Sequence, residues 1–442
     1  MLTSYYLKNT TSIELIFAGS CNLKCSYCLI HKHPKEMKRY NDNIRESVLN
    51  GDFQKRLFER FEEHKEQITN ISIWGGEPTI NADIADKLLT PIFEFFPNIK
   101  EMMFSTNSLL GFERGIKPYI DCLQNISDNL NRNIRFVLQI SIDGPKEITD
   151  KSRNRKDITE IILQNVKDTA EYAAKNCKNK FRLLMDTKPT VSPESWDYLL
   201  TNNKVKEWFE FFYNLSKDTG EIIKDNPNVE EYMAQGPTIC TPYDYTKKDG
   251  LLYRDFIREI KKIDFGPMSD RYDKDTILPH YGRFWKDMFG NNNYPQGCLL
   301  CSAGLTSLSF DYEGSLMTCH KLYDDWKLGK QDYPAHAKNI QMIYNRQDID
   351  RIGYVMENYF SRYDFRKTIF DALMLSMVEA GEIDKKYLNP VLMHAAFIFA
   401  NAQTCYAGES GHQTKNIYVP SMSLIRLLCN GALEEIIDYY EQ

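Results

Sequence analysis

Three cysteines in eight residues, Cys21-Asn22-Leu23-Lys24-Cys25-Ser26-Tyr27-Cys28, constrain this chain more than any other feature, because they follow directly on a β-rich run, Ser12–Phe17. Thiolates are soft ligands suited to iron–sulfur clusters and zinc. A [4Fe–4S] cluster takes four cysteines in the ordinary case, so three from one loop leave an iron open to a chelating small molecule. Structural zinc takes four ligands, commonly two separated pairs. His31 and His33 could complete such a set, so the spacing alone leaves both metals open. The eleven cysteines are odd in number, and six fall in two groups, Cys21/25/28 and Cys298/301/319. With no secretory pattern in Met1–Thr11, the expectation is a cytoplasmic, reducing location in which grouped cysteines bind metal rather than pair.

The rest of the composition is that of an ordinary soluble protein. No run is long and apolar enough for a membrane span; the best, 391–402, is interrupted by His394 and Asn401. A net charge of −6 argues against a nucleic-acid partner, which needs a concentrated basic surface. Strands and helices alternate along the first half. Strands are predicted at 12–17, 71–74, 100–105, 134–142 and 181–187, with helices at 45–65, 82–96 (kinked at Pro91), 115–125 and 157–174. That alternation implies parallel strands joined by crossover helices. A helix is expected over 194–215, a loop or insertion over 216–235, a further strand near 236–241 and a helix over 250–262. Turn chemistry at 291–297 marks a boundary. Two short runs around Asp311-Tyr312-Glu313-Gly314 predict a β-hairpin, and 337–442 reads as mostly helical, with Gly381 as a helix stop.

The cysteine loop, with Tyr27 before its third cysteine, resembles the defining C-x3-C-x2-C motif of the radical S-adenosylmethionine (radical SAM) superfamily. Gly75-Gly76-Glu77-Pro78 resembles that family's GGEP element, Ser105-Thr106-Asn107 its polar strand end, and Ser141-Ile142-Asp143-Gly144-Pro145 its S-x-D-G-P element. The resemblance covers about 12–190. It implies an α/β fold, a partial (β/α)6 TIM-like barrel, with ligand groups at the C-terminal ends of the strands. It also implies that Cys21, Cys25 and Cys28 hold a [4Fe–4S] cluster. Tyr27, Gly75, Gly76, Glu77, Pro78, Ser105, Asn107, Ser141, Asp143 and Arg153 would then surround S-adenosylmethionine. Glycine suits such a loop because a residue without Cβ allows close backbone approach.

The stretch from Cys301 to Cys319 resembles the opening of the SPASM and twitch extensions, in which a hairpin carries ligands of an auxiliary [4Fe–4S] cluster. The C-x2-C-x5-C-x3-C continuation of a full SPASM domain is absent, so the resemblance implies one auxiliary cluster, held by Cys298, Cys301 and Cys319 with a fourth ligand from later in the chain; spacing and local context point to Cys405, the alternatives being no fourth cysteine, or zinc on the same four. The resulting domain expectation is a barrel over 1–290 with an insertion near 216–235, a twitch/SPASM-like hairpin over 291–335 and a helical extension over 336–442. Cys122, Cys177 and Cys429 read as packed core thiols. Cys240 either packs or lies on a late strand facing the substrate.

In members of this kind a reduced cluster splits the cofactor into a 5′-deoxyadenosyl radical that removes hydrogen from a substrate, and a flavodoxin or ferredoxin is the expected reductant. The leading expectation is modification of a peptide or protein: a thioether or carbon–carbon crosslink, or side-chain oxidation. With twenty residues before Cys21, no separate N-terminal leader-binding domain is expected. The second reading is oxidation of a small molecule such as an aminosugar. A third, from a different class, is a non-catalytic zinc scaffold. No catalytic acid or base is legible.

Overall fold

The computed structural model describes residues 7–28, 34–239, 245–278, 306–317, 363–403 and 419–441. The chain divides into two compact units. The first takes in described residues 7–28, 34–188, 214–233 and 306–317; the remaining described residues make up the second.

The first unit is a parallel sheet with crossover helices. Its strands are β1 (Ser12–Ala18), β2 (Asn70–Gly75), β3 (Glu101–Thr106), β4 (Ile134–Ile140) and β5 (Phe181–Thr187). A two-residue strand, β6 (Thr190–Val191), belongs to the second unit. Then come β7 (Val229–Tyr232), another short strand of the second unit, β8 (Thr238–Ile239), and the hairpin β9 (Ser307–Phe310) and β10 (Leu316–Met317). The main sheet runs β10-β9-β1-β2-β3-β4-β5-β7, every pair parallel except β9 with β10. It is the parallel sheet that the alternation predicts, in the α/β arrangement that the resemblance implies.

Period-two patterning gives the sheet two chemically different faces. In register across β1 to β5 lie Ile13, Ile71, Met102, Phe136 and Leu183, then Leu15, Ile73, Phe104, Leu138 and Met185. All ten are buried. Phe104 packs on Tyr119 of the helix Lys117–Leu130 (ring centroids 4.6 Å apart), so this face meets the helices. The opposite face is polar at its lower end. There Asn70 donates to Glu101 (3.3 Å), and Arg135 pairs with Glu101 (3.3 Å) and Glu230 (3.5 Å).

Three local expectations are corrected. The helix predicted over 45–65 is two helices, Pro34–Leu49 and Asp52–Phe61, separated at Gly51 (φ +84°). The helix over 194–215 is also two, Pro193–Thr201 and Val205–Ile223, broken at the turn-forming Asn202-Asn203. The loop or insertion expected over 216–235 is instead the end of that second helix followed by β7, an edge strand of the main sheet. Its sequence, Val-Glu-Glu-Tyr, hides the strand because both carboxylates are used: Glu230 pairs with Arg135, and Glu231 accepts from Ser216 Oγ (2.7 Å). The helix Ala85–Phe95 continues through Pro91, and the irregular backbone is at Asn81, just ahead of it.

The hairpin forms where the sequence places it, and it also joins the main sheet. Strand β9 pairs with β1 from Ser12↔Ser307 to Leu15↔Phe310. The turn is held from outside: Arg56 Nη1 donates to the Tyr312 carbonyl (2.5 Å), Asn43 Nδ2 to the Tyr312 hydroxyl (3.1 Å), and Tyr40 packs on the Tyr312 ring.

The second unit includes helices Pro193–Thr201, Lys247–Lys261, Tyr363–Glu379, Pro390–Gln403, Val419–Leu428 and Ala432–Glu441. Trp196 is fully buried there against Tyr253 and Phe256, and Gly381 follows the helix that it was expected to stop. Among the described residues no helix is long and apolar enough to cross a membrane.

Candidate active site

The loop 19–28 leaves the C-terminal end of β1, and the segments that follow β2, β3 and β4 close around it. Gly76 N–H donates to the Ala18 carbonyl (2.7 Å) and Glu77 N–H to the Ser20 carbonyl (2.8 Å), so Gly75-Gly76-Glu77-Pro78 is laced to the cysteine loop. A Cβ on Gly75 would lie 1.9 Å from the Ala18 oxygen, and one on Gly76 2.0 Å from the Ser20 oxygen. Both glycines are therefore required by contact between two backbones. Gly76→Ala is expected to force the loops apart, costing about 1–3 kcal/mol as overpacking does. A lowered melting temperature and reduced iron uptake on anaerobic reconstitution would register it; unchanged values for both would show that the loops tolerate the methyl.

Glu77 turns inward. It is 2% exposed, and its carboxylate accepts from Thr79 N–H (3.2 Å), Thr79 Oγ1 (2.7 Å), Thr106 Oγ1 (2.6 Å) and Asn107 N–H (2.7 Å). Burial still pushes its carboxyl up, against those donors. Glu77 thus ties the loop after β2 to the end of β3, while Tyr119 Oη donates to the buried Pro78 carbonyl (2.9 Å) from behind.

Asp143 performs the corresponding task at the end of β4. It is fully buried and accepts from Tyr27 Oη (3.0 and 3.2 Å) and Ser152 Oγ (2.5 Å), and it pairs with Arg153 Nη2 (2.9 Å). The carbonyl of Ser152 accepts from Ser26 N–H (2.8 Å) and Ser26 Oγ (3.2 Å), closing the link to the cysteine loop. Burial holds the Tyr27 phenol well above its ordinary value, so it stays a donor. Burial also pushes up the Cys21 and Cys25 thiols, and at Cys25 the neighbouring Arg153 guanidinium opposes the shift.

The upper row of the polar sheet face continues the site. Ser105 Oγ donates to Gln139 Oε1 (2.6 Å) and Gln139 Nε2 to Asp186 Oδ2 (3.1 Å), a chain across β3, β4 and β5. Ser141 N–H donates to the Thr106 carbonyl (2.8 Å). Gln139, Asp186, Ser152 and Thr149 were not singled out from the sequence. The period-two pattern could have found the first two, because it puts both on the face of Ser105.

The donor set fits the expected cofactors. Cys21, Cys25 and Cys28 are partly exposed thiols outside any disulfide. Asn22 Nδ2 and Arg153 Nε are buried beside the loop without a hydrogen-bond partner, the condition in which a polar ligand is accommodated. Cys122, Cys177 and Cys429 are buried core thiols, as expected. Cys240, Cys298, Cys301, Cys319 and Cys405 lie outside the described residues.

Fold and site together place three thiols at the C-terminal ends of the strands of a parallel β/α sheet. The model of the Radical SAM superfamily matches residues 15–188. The chain is 23% identical over 324 residues to a cysteine-type anaerobic sulfatase-maturating enzyme of Clostridium novyi (strain NT), covering 71% of this chain and 74% of that protein. It is 27% identical over 179 residues to an enzyme of the same description from Clostridium perfringens (strain ATCC 13124), covering 38% and 41%. Among solved structures it is similar to Streptococcus suis SuiB bound to S-adenosylmethionine, with a TM-score of 0.33 and 14% identity, covering 78% of this chain and 65% of that one. Over residues 15–188 the chain is thus similar to the radical SAM superfamily.

Proposed function

We propose that this enzyme modifies a peptide or protein, its first cluster held by Cys21, Cys25 and Cys28. The observation that carries the site is the convergence on one loop of three independent braces: the paired glycines after β2, Glu77 with Asn107 at β3, and Asp143 with Arg153 after β4. The protein substrate is supported by the relatives named as sulfatase-maturating enzymes. When bound, the cluster and S-adenosylmethionine supply a 5′-deoxyadenosyl radical that takes a hydrogen atom from the substrate.

The chain's own work is to fix geometry. Gly75 and Gly76 let two backbones touch, so the cysteine loop cannot drift from the cofactor-facing loop. Such close positioning confines a reactive species to one bond of the substrate. Ser105, Gln139 and Asp186 offer a fixed row of hydrogen-bonding groups on the polar sheet face. Tyr27, Gly75, Gly76, Ser141 and Arg153 are the proposed cofactor neighbours, and Glu77 and Asp143 hold the loops that present them.

The finer reading is one auxiliary [4Fe–4S] cluster on Cys298, Cys301, Cys319 and Cys405, supported by the hairpin formed between the second and third of these. It would accept the electron left on the substrate radical, so that the net change is a two-electron oxidation of the substrate.

Anaerobically purified protein tests the reading: iron and sulfide for two clusters, and 5′-deoxyadenosine formed from S-adenosylmethionine and dithionite. Colourless, zinc-loaded protein that leaves the cofactor intact would refute it. Cys319→Ala is expected to spare basal cofactor cleavage and abolish substrate turnover. Product formation at the parental rate would remove the auxiliary site from the mechanism.

A further inference from the structure

Asn107 is 6% exposed at the end of β3, and the orientation of its side-chain amide is fixed by the chain. Leu109 N–H donates to Asn107 Oδ1 (2.9 Å), so the oxygen must face that amide; exchanging the two ends would set N–H against N–H. The NH2 group then points the other way, towards Asn22 Oδ1 (2.8 Å) and Cys21 Sγ (3.5 Å). The backbone beneath is held as well, through Asn107 N–H to Glu77 (2.7 Å). Its position is thus set by the sheet and by a buried carboxylate.

We infer that Asn107 is a positioning residue whose side-chain amide donates a hydrogen bond to the Cys21 sulfur and thereby raises the reduction potential of the first cluster. Hydrogen bonds to cluster sulfurs are among the determinants of such potentials, because a donor stabilises the reduced, more negative state over the oxidised one. The consequence is practical for a cluster that must be reduced before it acts. The inference rests on the reading that Cys21 ligates that cluster.

Two variants separate the donor from the other tasks of the residue. Asn107→Asp keeps an oxygen for Leu109 N–H and the backbone bond to Glu77, and loses both side-chain donors. Asn107→Leu removes the donors without adding charge. In the reconstituted enzyme, redox titration followed by electron paramagnetic resonance is expected to show a lower midpoint for the first cluster in both variants. The expected fall is about tenfold in the reduced-to-oxidised ratio at fixed potential, or about 59 mV for one electron. Iron and sulfide contents should match the parent. A parental midpoint in Asn107→Leu, with its cluster intact, would overturn the inference and leave the functional reading standing; parent protein without any cluster would overturn both. A readout independent of any variant uses parent protein labelled with 15N at asparagine side chains, whose reduced cluster should show a 15N hyperfine coupling. No such coupling would also overturn it.

Discussion

Replacing Cys21, Cys25 and Cys28 together by alanine is expected to remove the iron of the first cluster and reduce 5′-deoxyadenosine formation to background. The chain itself should survive the change. The three thiols are partly exposed, and the surrounding loop is held by other atoms: Ser26 N–H to the Ser152 carbonyl, Gly76 N–H to the Ala18 carbonyl and Glu77 N–H to the Ser20 carbonyl. Circular dichroism of the metal-free triple variant should therefore match metal-free parent protein. Iron and sulfide should fall by about half if the auxiliary cluster remains, since the two sites draw on separate cysteines. Cofactor cleavage retained at the parental rate would refute the assignment of this loop as the radical-generating site.

The sheet was legible because apolar residues alternate along β1, β3, β4 and β5, and because each strand ends in a segment that cannot extend it. Strand β7 was not, since its glutamates find Arg135 and Ser216, partners that no local pattern specifies. The pairing of β9 with β1 was equally hidden. Ser12 and Ser307 lie far apart along the chain, and no local pattern specifies that a hairpin will add to the open edge of a sheet.

At the site, the motifs located the right loops, whereas the direction of each side chain had to come from the fold. Glu77 and Asp143 were read as residues around the cofactor, and both carboxylates are spent on the protein. A carboxylate in a motif reads the same whether it faces a ligand or a buried donor. What separates the cases is the company it keeps. Thr79, Thr106 and Asn107 supply four donors to Glu77, and those residues come together only when the ends of β2 and β3 lie side by side.

Asp143 carries the second large expected effect. Its pair with Arg153 is buried on both sides, with side-chain exposures of 0% and 5%. Removing one member of such a pair strands a charge away from water and costs about 3–5 kcal/mol. Asp143→Asn also weakens the acceptor for Tyr27 and Ser152, so its penalty should lie at the upper end. For a unit of this size that corresponds to a fall on the order of 10 °C in the melting temperature of the metal-free protein. Arg153→Met should cost less, because the carboxylate keeps Tyr27 Oη and Ser152 Oγ as donors. The asymmetry is the diagnostic result. Equal losses would mean that the ion pair alone stabilises this corner, whereas a larger loss for Asp143→Asn follows if the carboxylate is the hub joining the cysteine loop to the end of β4. Chemical unfolding of both variants, metal-free and reconstituted, would distinguish the two.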